Sequence, residues 1–217
     1  MSIKGRKMSG KTEFIRITFI MALFLTISWI FPVPAFSLTP IEEIRAATDQ
    51  VLLIFKNSKL NDEQKKKLVR EALLPKFDFD EISKRVLARH HQKYSGRMNE
   101  FTPLFTELLE SAYLRNMQLE SVRSARFVYI NERIDDGFAT VETKIITARG
   151  LEIDVGYRMR LLGGQWKVYD ILVEGISMVS NYRSQFNKIL SSSSPLPFDE
   201  LLNKMRGKVN LMNSRQK

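Results

Sequence analysis

The sequence predicts an α+β fold in which helices come first and an antiparallel sheet follows. From about residue 39 to residue 117, apolar residues recur at helical spacing. After Leu119 they alternate with polar residues, which is typical of half-buried strands, and short glycine-containing turns separate four such runs. Helices followed by strands in this order predict a sheet covered on one face by helices.

Composition indicates one folded domain. The chain has 217 residues, of which 44% are hydrophobic and 27% are charged, so it has enough apolar side chains for a core and too few charges for general disorder. It contains no cysteine, which excludes disulfides, thiolate metal sites and cysteine nucleophiles.

The N-terminus predicts export. Five Lys and Arg residues precede an uncharged, mostly apolar run over residues 17–31, and Ala35-Phe36-Ser37 then makes a small-x-small cleavage site. This is the layout of a secretory signal peptide over residues 1–37, and the run is short for a membrane-spanning helix, which needs about 20 residues. An uncleaved anchor is the alternative. The chain after residue 37 is therefore expected to be exported.

The exported part of the chain is basic. Residues 1–37 hold five of the 34 Lys and Arg residues and one of the 24 acidic residues, so the chain from residue 38 carries a net charge of +6. This charge suits anionic lipid head groups or acidic protein surfaces, although solubility alone also accounts for it. Export makes a nucleic-acid partner improbable.

The helices are predicted from their ends. Thr39, Pro40 and Glu42 together indicate a capping box at the start of a helix over 39–57. A second helix is expected to begin at Asn61 and to end at Pro75.

A third helix is predicted over 78–91, capped by Asp78 or Asp80, and a long one over 98–117. Pro103 lies inside the long pattern, so this helix begins near Thr102 or is kinked there. His90 and His91 end the third helix, where a positive charge is favourable; a metal or general-base role is the alternative.

Four strands follow, with turns at Asp135-Asp136-Gly137, Arg149-Gly150 and Gly163-Gly164. Glu174-Gly175 is expected to end the fourth strand, and Ser177 to cap a helix over 176–190. A small helix over 198–205 and a basic disordered tail over 211–217 complete the chain, which leaves a single domain over 38–210.

The predicted architecture is a curved four-stranded antiparallel sheet with one face covered by helices 39–57, 78–91, 98–117 and 176–190. A curved sheet beside several helices makes a cone. Whether that cone is filled by side chains or encloses an internal apolar cavity decides between two kinds of function, an interaction or scaffold protein and a binding protein.

The sequence contains no recognisable catalytic constellation and no metal-ligand cluster. Asp170 and Glu174 are four apart on a predicted strand, and Asp170 is expected to share its face with Trp166, Val168 and Leu172. A general base in an isomerase-like enzyme is the alternative function that these carboxylates allow. In a non-catalytic role, Asp170 faces solvent or binds Arg158 or Arg160.

Residues 166–186, WKVYDILVEGISMVSNYRSQF, resemble the C-terminal motif of the MlaC family. These are periplasmic phospholipid carriers of the maintenance-of-lipid-asymmetry pathway, also called toluene-tolerance auxiliary proteins. Residues 77–87 and 101–113 are similar to other segments of that family, and the likeness covers about residues 39–205. Two features depart from the family pattern. Leu87-Ala88-Arg89-His90 stands where the family often has Leu-Gly and an aromatic residue, and Pro103 lies inside a helix.

The resemblance implies a cone related to nuclear transport factor 2, a phospholipid as cargo, no cofactor and no enzymatic activity. The acyl chains would lie between sheet and helices. The implied partners are an inner-membrane ABC transporter complex, reached through its membrane-anchored ring protein, and an outer-membrane lipoprotein–porin complex. A monomer is expected. A related branch is associated with hopanoid synthesis, so a polycyclic lipid is an alternative cargo.

The predicted lipid-binding residues fall into three groups. The wall of the sheet comprises Val141, Ile145, Ile153, Val155, Tyr157, Ile171 and Val173. The opposing helix contributes Phe105, Leu109 and Tyr113. The corner that controls access comprises Gly175, which permits close approach, with Ile176, Ser177, Met178 and Val179. Arg183 and Ser177 are candidates for head-group contact. An ordinary filled core is the alternative interpretation of the same apolar pattern.

Overall fold

The computed structural model describes residues 38–114 and 124–214, so the predicted signal peptide lies outside the described residues. Helix α1 (Pro40–Lys56) and helix α2 (Asp62–Leu73) begin where the sequence predicts. The Thr39 hydroxyl accepts the Glu42 N–H, and the Glu42 carboxylate accepts the Thr39 N–H. Asn61 and Gln64 make the same reciprocal pair. Among the described residues, none of the helices combines the length and apolarity needed to cross a membrane.

Helix α3 (Phe79–Leu87) begins at Asp78, whose carboxylate accepts the N–H of Glu81. Asp78 is therefore the cap, and not Asp80. The helix ends at Leu87 rather than at 91, because Ala88 has a φ of 47° and the chain continues as a 3₁₀ turn (Ala88–His90).

Helix α4 (Met98–Leu109) contains Pro103 in its second turn, so it does not begin near Thr102. From Glu110 the chain continues as a π-helix to Leu114. The predicted helix over 98–117 is α-helical only to Leu109, and residues 115–117 lie outside the described part of the chain.

The strands form one antiparallel sheet in chain order: β1 (Arg126–Asp135), β2 (Phe138–Ile146), β3 (Glu152–Leu162), β4 (Gln165–Val173) and β5 (Ile176–Ser177). The α+β class is thus confirmed, but the sheet has five strands in the described ranges where four were predicted. In β5, Ile176 pairs with Val173 and Ser177 with Leu172. Two residues show no alternation, so periodicity does not reveal this strand.

Two-residue turns with positive φ at both positions join β1 to β2, β3 to β4 and β4 to β5. Asp136-Gly137 and Gly163-Gly164 were predicted as turns. Glu174 and Gly175 have φ values of 49° and 75°, the same pattern. Paired positive φ values are typical of a type I′ hairpin turn. Glu174-Gly175 therefore reverses the chain into β5, and does not only end β4 as predicted.

Helices approach both faces of the sheet, whereas the sequence predicts that they cover one. Helix α1 packs on the apolar face, where Ile44 joins a cluster with Val141. Helix α3 approaches the other face, where Asp78 and Glu81 bind Arg160 of β3. The alternation of the strands predicted that face to be polar, but ion pairs to the acidic first turn of α3 satisfy its charges and allow a helix to pack there.

Helix α5 (Met178–Leu190) and helix α6 (Pro197–Ser214) complete the described chain. Helix α6 is much longer than the predicted helix over 198–205, and it includes residues 211–214 of the predicted tail. Its fully buried residues include Leu201, Met205 and Val209, which recur every fourth position and face the other helices.

Most buried apolar residues of the described chain fall into three clusters. The helical cluster joins α3, α4, α5 and α6 with Tyr169 of β4. The sheet cluster joins Ile44 of α1 with residues of β2, β3 and β4. The smallest cluster, Val51, Phe55 and Val69, lies between α1 and α2. The helices thus have a core of their own beside the sheet.

Candidate functional site

All seven predicted wall residues lie on one face of the sheet. The register places them in three rows across the strands: Val141–Tyr157–Ile171, Val155–Val173 and Ile145–Ile153. Alternate residues of a strand point to the same face, so these side chains form one continuous surface, which we call the apolar wall.

The apolar wall is buried at one end and open at the other. Val141 is fully buried, and Val155 is 7% exposed. Val173 is 47% exposed, and Ile176, its partner on β5, is 69% exposed. Exposed apolar area costs about 25 cal/mol per Å², so an apolar ligand that covers the open end gains free energy.

A β-bulge at Tyr169 keeps the apolar residues of β4 on this wall. Val168 and Asp170 both have partners on β3, and Tyr169 has none. Strict alternation would place Val168 and Ile171 on opposite faces, but the extra residue restores both to the wall. Asp170 consequently lies on the face opposite Trp166 and Val168, and the prediction that it shares their face is wrong.

The corner between β4 and α5 extends the open end of the wall. Ile176 lies in β5 beside Val173, and Met178 packs partly against the helical cluster. A Cβ added to Gly175 would meet no atom within 4 Å, so this glycine is required by its φ of 75° and not by a close approach. Gly175 therefore shapes the corner through its turn.

The Asp170 carboxylate stabilises this corner through hydrogen bonds made on the other face of the sheet. Its carboxylate accepts hydrogen bonds from the Ser177 hydroxyl at 2.6 Å, the Val179 N–H at 3.0 Å and the Arg158 guanidinium at 3.1 Å. Ser177 in turn accepts the N–H of Ser180 and caps α5, as predicted. The carboxylate thus also lies at the positive end of the helix dipole. The alternative that pairs Asp170 with Arg158 is the observed one.

Three of the predicted lipid contacts lie in the helical cluster and not beside the wall. They are Phe105, Leu109 and Val179, and the Phe105 ring packs edge-on against Tyr182 with centroids 5.1 Å apart. Tyr113 is 52% exposed, and its side chain lies near the Tyr182 hydroxyl. Burial raises the pKa of Tyr182, and the neighbouring Tyr113 hydroxyl raises it further. The predicted lipid-binding residues are therefore divided between the apolar wall and the helical cluster.

The apolar face also carries hydroxyl groups that the sequence reasoning did not include in the site. Thr143 donates to the carbonyl of Val155 at 3.0 Å, and burial raises the pKa of Tyr157 beside it. Tyr129 stands next to Thr143 on β1, with the Arg45 guanidinium 4.1 Å from its ring centre. Among the described residues its buried hydroxyl has no hydrogen-bond partner, which leaves an open position for one. The alternation of β1, which places Tyr129 on the apolar face, was the sequence signal that could have identified this residue.

The two head-group candidates do not come together. Ser177 is engaged by Asp170, and the Arg183 Nε donates to the carbonyl of Arg85 at 2.9 Å. Arg183 instead lines a polar cavity of about 590 Å³ between α3 and α5, which is also lined by Glu81, Lys84, Arg85, Ala88, Arg89, His91 and Gln92. The excess of cations makes this cavity positive.

The carboxylates considered for catalysis are separated. Glu174 follows β4 with positive φ, and its carboxylate accepts the N–H of Asp154 at 2.7 Å, so it does not share a strand face with Asp170. His90 bonds to the Asn187 side chain at 3.0 Å. In residues 38–114 and 124–214, no group of three or more His, Asp or Glu residues could hold a metal ion.

The sequence profile of the MlaC protein family matches residues 45–207, which include the apolar wall and the corner. The chain belongs to the MlaC family. This agrees with the resemblance of residues 39–205, and the matched part includes almost all of the described chain.

Named relatives of this MlaC-family chain are similar to it over about two thirds of their length. It is 28% identical over 143 residues to the intermembrane phospholipid transport system binding protein MlaC of Haemophilus influenzae, covering 64% of this chain and 65% of that protein. It is 28% identical over 163 residues to the toluene tolerance protein Ttg2D of Pseudomonas putida, covering 68% of this chain and 71% of that protein. The chain therefore spans slightly less than two thirds of the Haemophilus protein.

A solved structure shares the fold. It is a phospholipid-binding protein from Ralstonia solanacearum in complex with a phospholipid, with a TM-score of 0.68 and 23% sequence identity, over 79% of this chain and 97% of that one. The arrangement of helices and antiparallel sheet in the MlaC-family chain is thus that of a known protein.

Proposed function

We propose that this chain is a periplasmic phospholipid carrier. In this proposal the acyl chains lie in an apolar cavity of a cone-shaped fold, between the apolar wall and the helices, and the head group stays at the surface. In this proposal the protein catalyses no reaction and needs no cofactor. Family membership supports this, together with the names of the Haemophilus and Ralstonia relatives, which describe phospholipid transport and phospholipid binding.

The observation that carries the proposal is the change in exposure along the apolar wall. A sheet face that only fills a core is covered throughout, whereas this face is buried at Val141 and open at Val173 and Ile176. Large aliphatic side chains in a contiguous exposed patch mark a binding surface. The buried Tyr129 hydroxyl, unpaired among the described residues, adds a polar position deep on the same face.

The energetics of such a carrier favour exchange with membranes. Each buried methylene is worth about 0.8 kcal/mol, so two acyl chains with roughly 28 methylenes gain on the order of 20 kcal/mol relative to water. A bilayer offers the same lipid a similar gain. Small changes at the corner can therefore load or release the lipid, and the protein can shuttle it between two membranes.

The proposed partners are those of the family: an inner-membrane ABC transporter complex, reached through its membrane-anchored ring protein, and an outer-membrane lipoprotein–porin complex. The net charge of +6 after removal of residues 1–37 fits acidic partner surfaces and anionic head groups. Part of that charge lies around the α3–α5 cavity, where Arg183 is joined by Lys84, Arg85 and Arg89.

The test is lipid retention by an Ile176→Glu variant. A carboxylate at the open end of the wall is expected to abolish co-purified phospholipid in native mass spectrometry, because a charge there must be desolvated against the acyl chains. Leu53→Glu is the matched control, since Leu53 on α1 is also 69% exposed. It is expected to retain lipid at the wild-type level.

Two results would contradict the proposal. One is wild-type protein that carries no extractable lipid, which would favour a scaffold protein with a filled core. The other is an Ile176→Glu variant that folds and keeps its phospholipid. Extraction of a polycyclic lipid in place of a phospholipid would keep the carrier function and change its cargo.

A further inference from the structure

An apolar pocket lies away from the apolar wall, between helices α4, α5 and α6. Its volume is about 310 Å³, roughly twice that of an engineered apolar cavity of about 150 Å³ that binds benzene. Its floor is formed by Leu108, Phe186, Leu201 and Met205, all at most 3% exposed. The pocket therefore reaches the helical cluster, and its floor is apolar.

Gly207 opens this pocket in the middle of α6. A Cβ added at this position would meet no atom within 4 Å. A glycine inside a helix costs about 0.5–1 kcal/mol relative to alanine, and neither a turn nor a positive φ requires one here. Its effect on the surface is to leave one helix position without a side chain, directly at the pocket.

The rim of the pocket is cationic and contains few polar groups. Lys208 donates to the Gln185 side chain at 3.4 Å, and Lys204 pairs with Glu200 at 2.6 Å. An ammonium group has three N–H donors, so Lys208 retains capacity for an anionic acceptor. The pocket thus combines an apolar floor, in a volume that suits one alkyl chain, with a positive charge at its mouth.

We propose that this pocket binds a fatty acid, with the alkyl chain against Phe186 and Met205 and the carboxylate at Lys208. Its size favours one alkyl chain over the two of a phospholipid. A neutral alkane would offer the Lys208 ammonium no acceptor beyond Gln185, whereas a carboxylate adds a charged one. The site is separate from the apolar wall, because its lining comes from the helical cluster. The inference does not depend on the phospholipid-carrier function.

The experiment titrates the purified protein with dodecanoate by calorimetry and uses three variants. Gly207→Leu places a side chain in the pocket and is expected to weaken dodecanoate binding by about tenfold or more, which corresponds to about 1.4 kcal/mol. Gly207→Ala is the control, which adds one methyl group and keeps most of the volume. Lys208→Gln is expected to weaken dodecanoate by about threefold and to leave dodecanol binding unchanged, since only the carboxylate contacts the ammonium.

A fourth variant separates this pocket from the apolar wall. Ile176→Glu is expected to bind dodecanoate like the wild type, while Gly207→Leu retains its co-purified phospholipid. Dodecanoate binding that survives Gly207→Leu, or that is lost in Ile176→Glu, would overturn the inference and place the fatty acid at the wall. An absence of dodecanoate binding in the wild type would also overturn it, and none of these three results bears on phospholipid retention.

Discussion

At the scale of single residues, Ala88 stands in a backbone conformation that suits glycine. Its φ of 47° and ψ of −119° end α3, and a non-glycine residue held in such a sparsely populated region costs about 1–3 kcal/mol. The MlaC family often has glycine at the corresponding place after the third helix. The backbone conformation explains why a residue other than glycine is unfavourable at this position, which the resemblance marked as a departure from the family pattern.

We expect Ala88→Gly to stabilise the protein. Relief of the strained conformation outweighs the extra chain entropy of glycine in the unfolded state, so the free energy of unfolding should rise by about 1 kcal/mol. Urea unfolding monitored by circular dichroism measures it. Ala46→Gly, at an exposed position of α1 with helical geometry, should instead lower the free energy of unfolding by about 1 kcal/mol. Equal losses in both variants would show that Ala88 is not strained.

Local residue signals predicted helix starts well. Thr39, Asn61, Asp78 and Ser177 all cap a helix, because the cap hydrogen bond closes over three residues and needs no distant partner. The end of α3 at Ala88 was not predicted, since alanine has no intrinsic preference for positive φ.

At the scale of elements, the connection from β4 to α5 depends on a buried carboxylate. Asp170 is 2% exposed, and its carboxylate binds three other elements: β3 through Arg158, β5 through Ser177 and the start of α5 through Val179. Its hydrogen bonds set the direction in which α5 leaves the sheet, and therefore the position of Ile176 at the open end of the wall.

Asp170→Ala is expected to reduce the free energy of unfolding by about 3 kcal/mol, because the Val179 N–H and the Ser177 hydroxyl lose a buried acceptor. Arg158→Ala should cost about 1 kcal/mol or less, since the Arg158 side chain is 42% exposed. Chemical denaturation of both variants provides the comparison. Similar losses would mean that Asp170 acts only through its ion pair and not as an anchor for α5.

The strands show which features of a secondary-structure element the sequence predicts and which it does not. The alternation of β2 and β3 placed Val141, Val155 and Tyr157 on one face, and the register confirms it. Alternation alone could not reveal the bulge at Tyr169, because the extra residue is recognisable only from its missing partner on β3. The same limitation applied to β5, whose pairing depends on the turn at Glu174-Gly175.

At the scale of the whole molecule, helix α6 completes the helical cluster. Five of its apolar residues are at most 3% exposed: Phe198, Leu201, Leu202, Met205 and Val209. Burial of each contributes about 2 kcal/mol, so together they contribute about 10 kcal/mol, comparable with the total stability of a typical domain. The C-terminal segment is therefore part of the domain core.

A chain that ends at residue 196 should not fold cooperatively, whereas a chain that ends at residue 214 should unfold like the full-length protein. The first truncation removes Phe198, which packs against Phe101, and the other buried residues of α6 in the helical cluster. The second removes only residues 215–217. Thermal unfolding followed by circular dichroism distinguishes the two. A sharp transition in the shorter chain would show that α6 is dispensable.

The sequence by itself determined the α+β class, the order of helices and strands, the capped helix starts and the set of residues that form the apolar wall. Each of these depends on neighbours within a few residues or on a simple period. Only the tertiary structure decided that helices approach both faces, that Phe105 and Leu109 belong to a separate helical cluster, and that the wall opens at Ile176. These outcomes depend on which surfaces meet across long separations in the chain, where many packings satisfy the same local pattern.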